Sequence, residues 1–477
     1  MNIFPKCEFR DLKPNLSHPL ARQVARAASR GYGSAVSLLC LLPLWSSPAW
    51  AGNYTFTSVI DNTGQFSDFE AVAINNSGVV AFKGDMQSGV EGIYRTDGTT
   101  TTTIADTSSG EFSFYAGSTS LVSLPAIDDD GTVAFFIYTN YNPAIFTGSG
   151  GFTAAIVNSG DTNCPFYVAW DNPCIRNSEV SFSGQLRGSG GNPFGPQGVF
   201  TEPASGGGGY NTIAQDGGMF LSGSPFGGTS INAAGLVAYC GYLADGTEGL
   251  FVGPDGATNL AQTGPGSQFY SLDSFPKISD TGLVVFWATL TNYTEGDFIS
   301  SNGIVTQISV PGGGLPDDQY PSINAAGTVA CFGSDSAGQW AVLAGTGSVV
   351  DKVIAEGDSL FGSTVIGLGS PGNNGLNNNG QIVFPYSLAN GVQGIAIATP
   401  ANGPPPASPL LQIQQPDPLH VSLAWSTNAA AFGLEAASSL PASIWNPVTN
   451  TPVPNGQQFV VVLQIGSAPQ FFRLRQQ

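Results

Sequence analysis

One short pattern, Ile-Asn-x-x-Gly-x-Val-Ala-Phe, recurs seven times and limits what this chain can fold into more than any other feature. The copies occupy residues 74–82, 127–135, 175–182, 231–239, 278–286, 323–331 and 376–384. The third copy is degraded and one residue short. It is tied to the others by Pro173, two residues before its Ile, which matches Pro125, Pro276 and Pro321. Successive copies start 45 to 56 residues apart, about 50 on average.

The pattern reads as a β-hairpin. Asn or Asp opens the turn, and Gly supplies the positive φ that other residues resist. The β-branched and aromatic residues after it suit a buried strand. A third apolar piece follows in most copies, as in Gly92-Ile93-Tyr94 and Gly249-Leu250-Phe251. A fourth closes the unit, as in Thr103-Ile104-Ala105 and Asn259-Leu260-Ala261. Four antiparallel strands, here a to d, in about 50 residues is the size of a propeller blade. The seventh unit lacks strand d, and residues 55–61 (TFTSVID) carry the strand-d pattern ahead of the first unit. The expected fold is therefore all-β: a seven-bladed β-propeller over residues 52–399, closed by its N-terminal strand. Closure would cover sheet edges that otherwise invite aggregation.

Residues 1–51 read as a signal peptide. Six Lys and Arg between Lys6 and Arg30 precede an apolar run from Ala35 to Trp45, and Ala49-Trp50-Ala51 forms a small-x-small cleavage site. The run is too short to span a bilayer. Cys40 follows Leu39 rather than the small residue a lipoprotein site wants. Cleavage after Ala51 would remove six basic and two acidic residues and take the formal charge from −19 to −23. Such a chain repels phosphate backbones, which excludes nucleic acid as a partner. Membrane insertion is not expected. Charged residues are only 10%, against about 25% in an average globular protein, which excludes a coiled coil.

The tandem units resemble a family of secreted bacterial repeat proteins, read as β-propellers of undefined function. The resemblance covers roughly residues 53–399 and implies a fold and export, with no activity. Residues 400–409 form a stiff Pro-rich linker. In residues 410–477 short alternating strands return around Trp425, and this stretch resembles the fibronectin type III-like modules that end many secreted bacterial proteins. That resemblance implies a small fibronectin- or immunoglobulin-like β-sandwich acting as spacer or attachment module.

The chemistry is bounded by what is missing. The chain holds two histidines, His18 and His420, neither in the repeats. A Ser-His-Asp or Cys-His nucleophile and a histidine-ligated metal are thus excluded there. Paired carboxylates remain, since two suffice for glycoside hydrolysis. The turns between strands b and c supply Asp85, Glu91, Asp245, Glu248, Glu295, Asp297 and Asp335. Cys164 and Cys174 bracket nine residues, and export makes a disulfide between them the expectation. Cys240 and Cys331 read as buried small apolar residues. Asp128-Asp129-Asp130-Gly131 looks like part of a calcium loop. It lacks the spaced ligands of an EF-hand and occupies the turn filled elsewhere by Asn, so turn chemistry is the plainer reading and a weak calcium site the other. No cofactor is expected.

Aromatics recur between strand d and the next unit. Tyr115, Trp170 and Tyr270 are the candidate ligand face, because their polar tips suit a wet rim. The first functional expectation is a secreted, non-enzymatic binding or scaffold protein whose propeller face takes a neutral glycan or a protein. The alternatives are a carboxylate-dependent glycan hydrolase or lyase, and a structural component of the cell surface or matrix.

Overall fold

The structure is a computed structural model. It describes residues 54–477 except 114–123, 190–192, 208, 225, 273–274, 302, 317–319, 373, 402–410, 418, 427–431, 439–444, 456–457, 465–469 and 477. The signal segment, Tyr115 and most of the Pro-rich linker lie outside the described residues.

The chain is all-β. Its described helical turns are two three-residue 3₁₀ segments, Thr107–Ser109 and Pro254–Gly256. Strand β1 (Tyr54–Asp61) does not join the sheet that follows it. The first sheet is β2 (Phe66–Ile74), β3 (Val80–Met86), β4 (Glu91–Thr96) and β5 (Thr101–Asp106), antiparallel and in chain order. Six more sheets repeat this order up to Pro400. Strand β1 supplies the outer edge of the seventh, pairing from Tyr54 opposite Pro400 to Asp61 opposite Gly394.

The prolines explain a local irregularity. Proline cannot donate to a ladder. Strand a is accordingly broken in three sheets, leaving Ala126–Ile127, Lys277–Ile278 and Ser322–Ile323 as short inner segments, each directly after a Pro. In the third sheet Phe166–Arg176 runs through Pro173 with a register break between Trp170 and Cys174.

The turn between strands a and b is built by its first side chain. Asn75 Oδ1 accepts the N–H groups of Ser77 (3.1 Å) and Val79 (2.9 Å), and Gly78 takes φ +81°. Asn75 Nδ2 then donates to the carbonyl of Asp128, the equivalent residue of the next repeat, at 2.9 Å. Asn232 donates likewise to Ser279 O, Asn324 to Asn377 O, and Asn377 back to Asn75 O. These side chains are buried and use both ends.

Where the Asn is replaced, the link changes form. Asp128 has no N–H to give. Its carboxylate accepts the N–H groups of Asn177 (3.1 Å) and Ser178 (2.6 Å) in the third repeat. Both have positive φ (+55° and +61°), the signature of the tight two-residue turn left by that repeat's missing residue. Thr229 Oγ1 donates to Ser181 Oγ to link the third and fourth, and Thr281 Oγ1 to Ala325 O to link the fifth and sixth. The hydrogen bonds thus run from each repeat to the next and from the seventh to the first.

Packing follows the same order. Seven apolar clusters among the described residues are each shared by two consecutive sheets. One joins Phe66, Phe82 and Tyr94 of the first sheet to Val383, Ile395 and Ile397 of the seventh. Strands b and c are buried on both faces, so they read as unbroken Val-Ala-Phe-like runs rather than alternating ones. Gly92 is required for this packing, because a Cβ there would meet the Tyr94 ring at 2.6 Å.

Residues 412–476 form two further antiparallel sheets. They share a core of Leu423, Trp425 and Val461 from one sheet with Leu434 from the other. Glu435, nearly buried, is held by Arg473 (2.7 Å) and Arg475 (3.3 Å).

Asn324→Ala should cost about 2–3 kcal/mol, because it deletes a buried inter-repeat bond and strands the N–H groups of Ala326 and Thr328. Urea unfolding measures this. A loss below ~0.5 kcal/mol, the low end for one net hydrogen bond, would show that the circuit does not hold the repeats together.

Candidate functional site

The last apolar residue of every strand a points at one place. Ile74, Ile127, Ile175, Ile231, Ile278, Ile323 and Leu376 line a single cavity of about 70 Å³. One water needs roughly 10–15 Å³ and a ligand pocket roughly 300 Å³ or more. The cavity therefore suits a few waters.

One end is closed by Arg176. It stands where four of the other repeats have Asn, and its guanidinium reaches inward. Its guanidinium bonds Asp129 of the second repeat (2.6 Å) and Asp280 of the fifth (2.7 Å). Asn378 of the seventh donates to the same Asp280 carboxylate (3.2 Å). Burial pushes both carboxyls up, but donors outweigh it. Asn76 and Arg176 hold Asp129 below the usual carboxylate range, and Arg176, the Ala233 N–H and Asn378 do the same for Asp280. Burial likewise opposes the Arg176 charge, and its two carboxylates more than restore it. One guanidinium thus serves two carboxylates, and all three side chains are hydrogen-bonded to one another or to neighbouring repeats, which makes the plug a structural link.

Lys277, the residue before Ile278, also lines the cavity. Lys277 Nζ donates there to Asn374 Oδ1 (2.6 Å) and lies 3.5 Å from Cys174 Sγ. This placement corrects the expected disulfide. Cys164 and Cys174 are both free. The residues between them form the strand Phe166–Arg176 rather than a loop, so Cys164 sits at its outer end and Cys174 beside the axis. A disulfide needs Cα atoms within about 7 Å. Cys240 and Cys331 are buried in apolar clusters.

The Asp run is also engaged. Asp128 caps the third repeat's turn, Asp129 bonds Asn76 and Arg176, and Asp130 accepts the Thr132 N–H. Among the described residues no three His, Cys, Asp or Glu side chains are placed to hold a metal ion.

The candidate ligand residues are not brought together. Tyr115 lies outside the described residues. Trp170 is half-buried on the third sheet and Tyr270 is 59% exposed on the fifth. Neither lines the axial cavity. Tyr270 instead packs against Tyr293, with centroids 5.1 Å apart and rings 57° to each other. Tyr293 escaped the sequence reading because it lies in the b–c turn, where only acids were sought. Arg176 escaped it because it falls in the degraded copy; its signal is a cation at an Asn position.

A row of acids crosses the first sheet. Asp68 lies opposite Asp85, and Asp85 opposite Glu91. Lys83 is bound to Glu70 at 2.7 Å. Burial raises the Asp85 and Glu91 carboxyls, Lys83 lowers them, and neighbouring acids raise them further. Asp68 also borders a cavity of about 240 Å³ where the first and seventh sheets meet, beside Tyr386.

Residues 57–295, half of the chain, match a family of unknown function (DUF7453). The chain belongs to this family. The match stops in the fifth repeat, while the same sheet order continues to Pro400. No curated protein matches. Similar solved structures include a puromycin-hydrolyzing peptidase of Mycobacterium tuberculosis, at 9% identity and TM-score 0.47, over 79% of this chain and 61% of that one. An acylaminoacyl peptidase of Pyrococcus horikoshii matches at 10% and 0.42, over 77% and 58%. The lectin of Aleuria aurantia, a six-bladed β-propeller, matches at 12% and 0.32, over 62% and 99%. The chain spans about three fifths of the length of the peptidases. None of these carries a reaction or ligand over to this family member.

Arg176→Gln should destabilise the protein by about 1.5–3 kcal/mol at pH 7, the range for bonds to charged groups. The depressed Asp129 and Asp280 carboxyls contribute stability above their unfolded value, near 4, and lose it as pH falls through the lower folded value. The gap between variant and wild type should therefore narrow below about pH 4. Urea unfolding at pH 7 and pH 3 tests this, and a gap independent of pH would contradict it.

Proposed function

We propose that this chain is an exported, non-enzymatic binding or scaffold protein. Its seven sheets are the blades of a β-propeller closed by β1, and residues 410–477 form a fibronectin-like sandwich that spaces or attaches it. The face bearing Trp170 and Tyr270 takes a neutral glycan or a protein. The observation that carries this reading is that the polar groups at the axis are consumed by one another, whereas large aromatics stand exposed on the outer turns. Export rests on the composition of residues 1–51. Among the described residues no helix is long and apolar enough to cross a membrane.

A second reading is favoured by one observation, the cross-strand pair Asp85 and Glu91, both with raised carboxyls. Two carboxyls directly across a strand pair are the residue type that carboxylate-dependent glycan cleavage uses.

Melting of the purified protein against soluble neutral polysaccharides and candidate protein partners tests the first reading. A ligand at 100 times its dissociation constant adds about 2.7 kcal/mol, and Trp170→Ala with Tyr270→Ala should reduce that shift. If nothing shifts the melt saturably, the binding reading falls and a structural role takes its place. Product analysis separates binder from enzyme.

The acid row makes its own prediction. A carboxyl raised by folding lowers stability as pH climbs from its unfolded to its folded value. Asp85→Asn should therefore raise the melting temperature at pH 7, by relieving like charges directly opposite each other, and leave it unchanged at pH 3. Equal effects at both values would remove the proposed strain.

A further inference from the structure

We infer that the edge of the sheets opposite the Arg176 plug is a docking surface for a basic polypeptide segment, gripped by exposed aromatic rings flanked by carboxylates. This rests on the propeller reading above and names the partner class for that face.

The topology places these residues on one side. Every strand a ends at the plug, so the start of strand a and the b–c turn of each sheet lie at the other end. Exposed aromatics gather there. Tyr141 (84%) and Tyr293 (72%) occupy b–c turns of the second and fifth repeats, and Tyr270 starts strand a beside Tyr293. In the third repeat Tyr167 packs on Phe194, and in the sixth Trp340 follows the turn. On the plug side the exposed aromatic among the described residues is Phe152.

The charge on this edge selects the partner. Asp161, Asp245 and Glu295 are exposed on these turns, and Tyr242 donates its hydroxyl to Glu248 at 2.8 Å, setting a carboxylate beside a ring. The cations nearest these turns are engaged: Arg187 with the carbonyls of Cys164, Ser159 and Asp161, and Lys352 with Asp358. An aromatic face attracts a cation, and an adjacent carboxylate strengthens that attraction. Tyr270–Tyr293 and Tyr167–Phe194 are inclined at 57° and 75° and packed in contact at 5.1 and 4.9 Å, with all four rings exposed. A cation meets their outward faces.

The test uses a fluorescent oligolysine peptide, with soluble dextran as the uncharged probe, and reads anisotropy and melting. Oligolysine should bind saturably and weaken with added salt as screening shortens. Tyr270→Ser with Tyr293→Ser leaves the charge unchanged and should weaken binding about fivefold, equivalent to ~1 kcal/mol for an exposed cation–aromatic contact. Asp97→Asn with Asp130→Asn, on the plug side, should leave it unchanged. Equal binding by the tyrosine variant would overturn the inference, because bulk charge alone would then explain it. If dextran binds in a tyrosine-dependent way and oligolysine does not, the basic partner is wrong while the binding role of this face stands. If neither binds, both readings fall.

Discussion

The structure depends on an asparagine that works in two directions. Its carbonyl oxygen gathers two N–H groups of its own turn, and its amide reaches the carbonyl of the same turn one repeat on. A buried amide left unsatisfied would cost more than a made bond returns. The turn and the neighbour contact are therefore selected together. The spacing of the motif follows: the acceptor must meet the second and fourth residues after itself, and the residue between them must take a positive φ.

That arrangement also decides where chemistry is absent. Polar side chains at the axis join repeats: Arg176 is shared by acids from two other repeats, and one of those acids, Asp280, also accepts from Asn378 of the seventh. Arg176 is the Asn position turned to another use. The outer turns carry no such obligation. Their strands are anchored by apolar clusters between sheets, so the turn residues vary in length and composition, and rings stand in solvent.

The strands and their order were legible because each repeat restates the same hairpin, and because strands buried on both faces read as unbroken apolar runs. The prolines used to align the repeats in sequence stand directly before three short inner strands, a break the sequence reading did not draw from them. The disulfide was misread for a physical reason. The span between Cys164 and Cys174 is rich in turn-forming residues such as Asp171, Asn172 and Pro173, yet a register break absorbs them within a strand. The Asp run was read correctly as a turn, but its reach to Asn177 and Ser178 was hidden, since it depends on a deletion one repeat away. The pairing of Tyr270 with Tyr293 joins segments whose proximity only the folded sheet reveals.

Pairing β1 with the seventh sheet joins residues 344 positions apart, as in the bond from Thr55 to Thr399. Chain entropy must be surrendered across almost the whole repeat region before that contact can form. The earliest of these residues to be synthesised is thus among the last to be fitted. Until Pro400 has emerged, the partial assembly has an open seam, and the final strand pairing acts as a completeness check on the polypeptide.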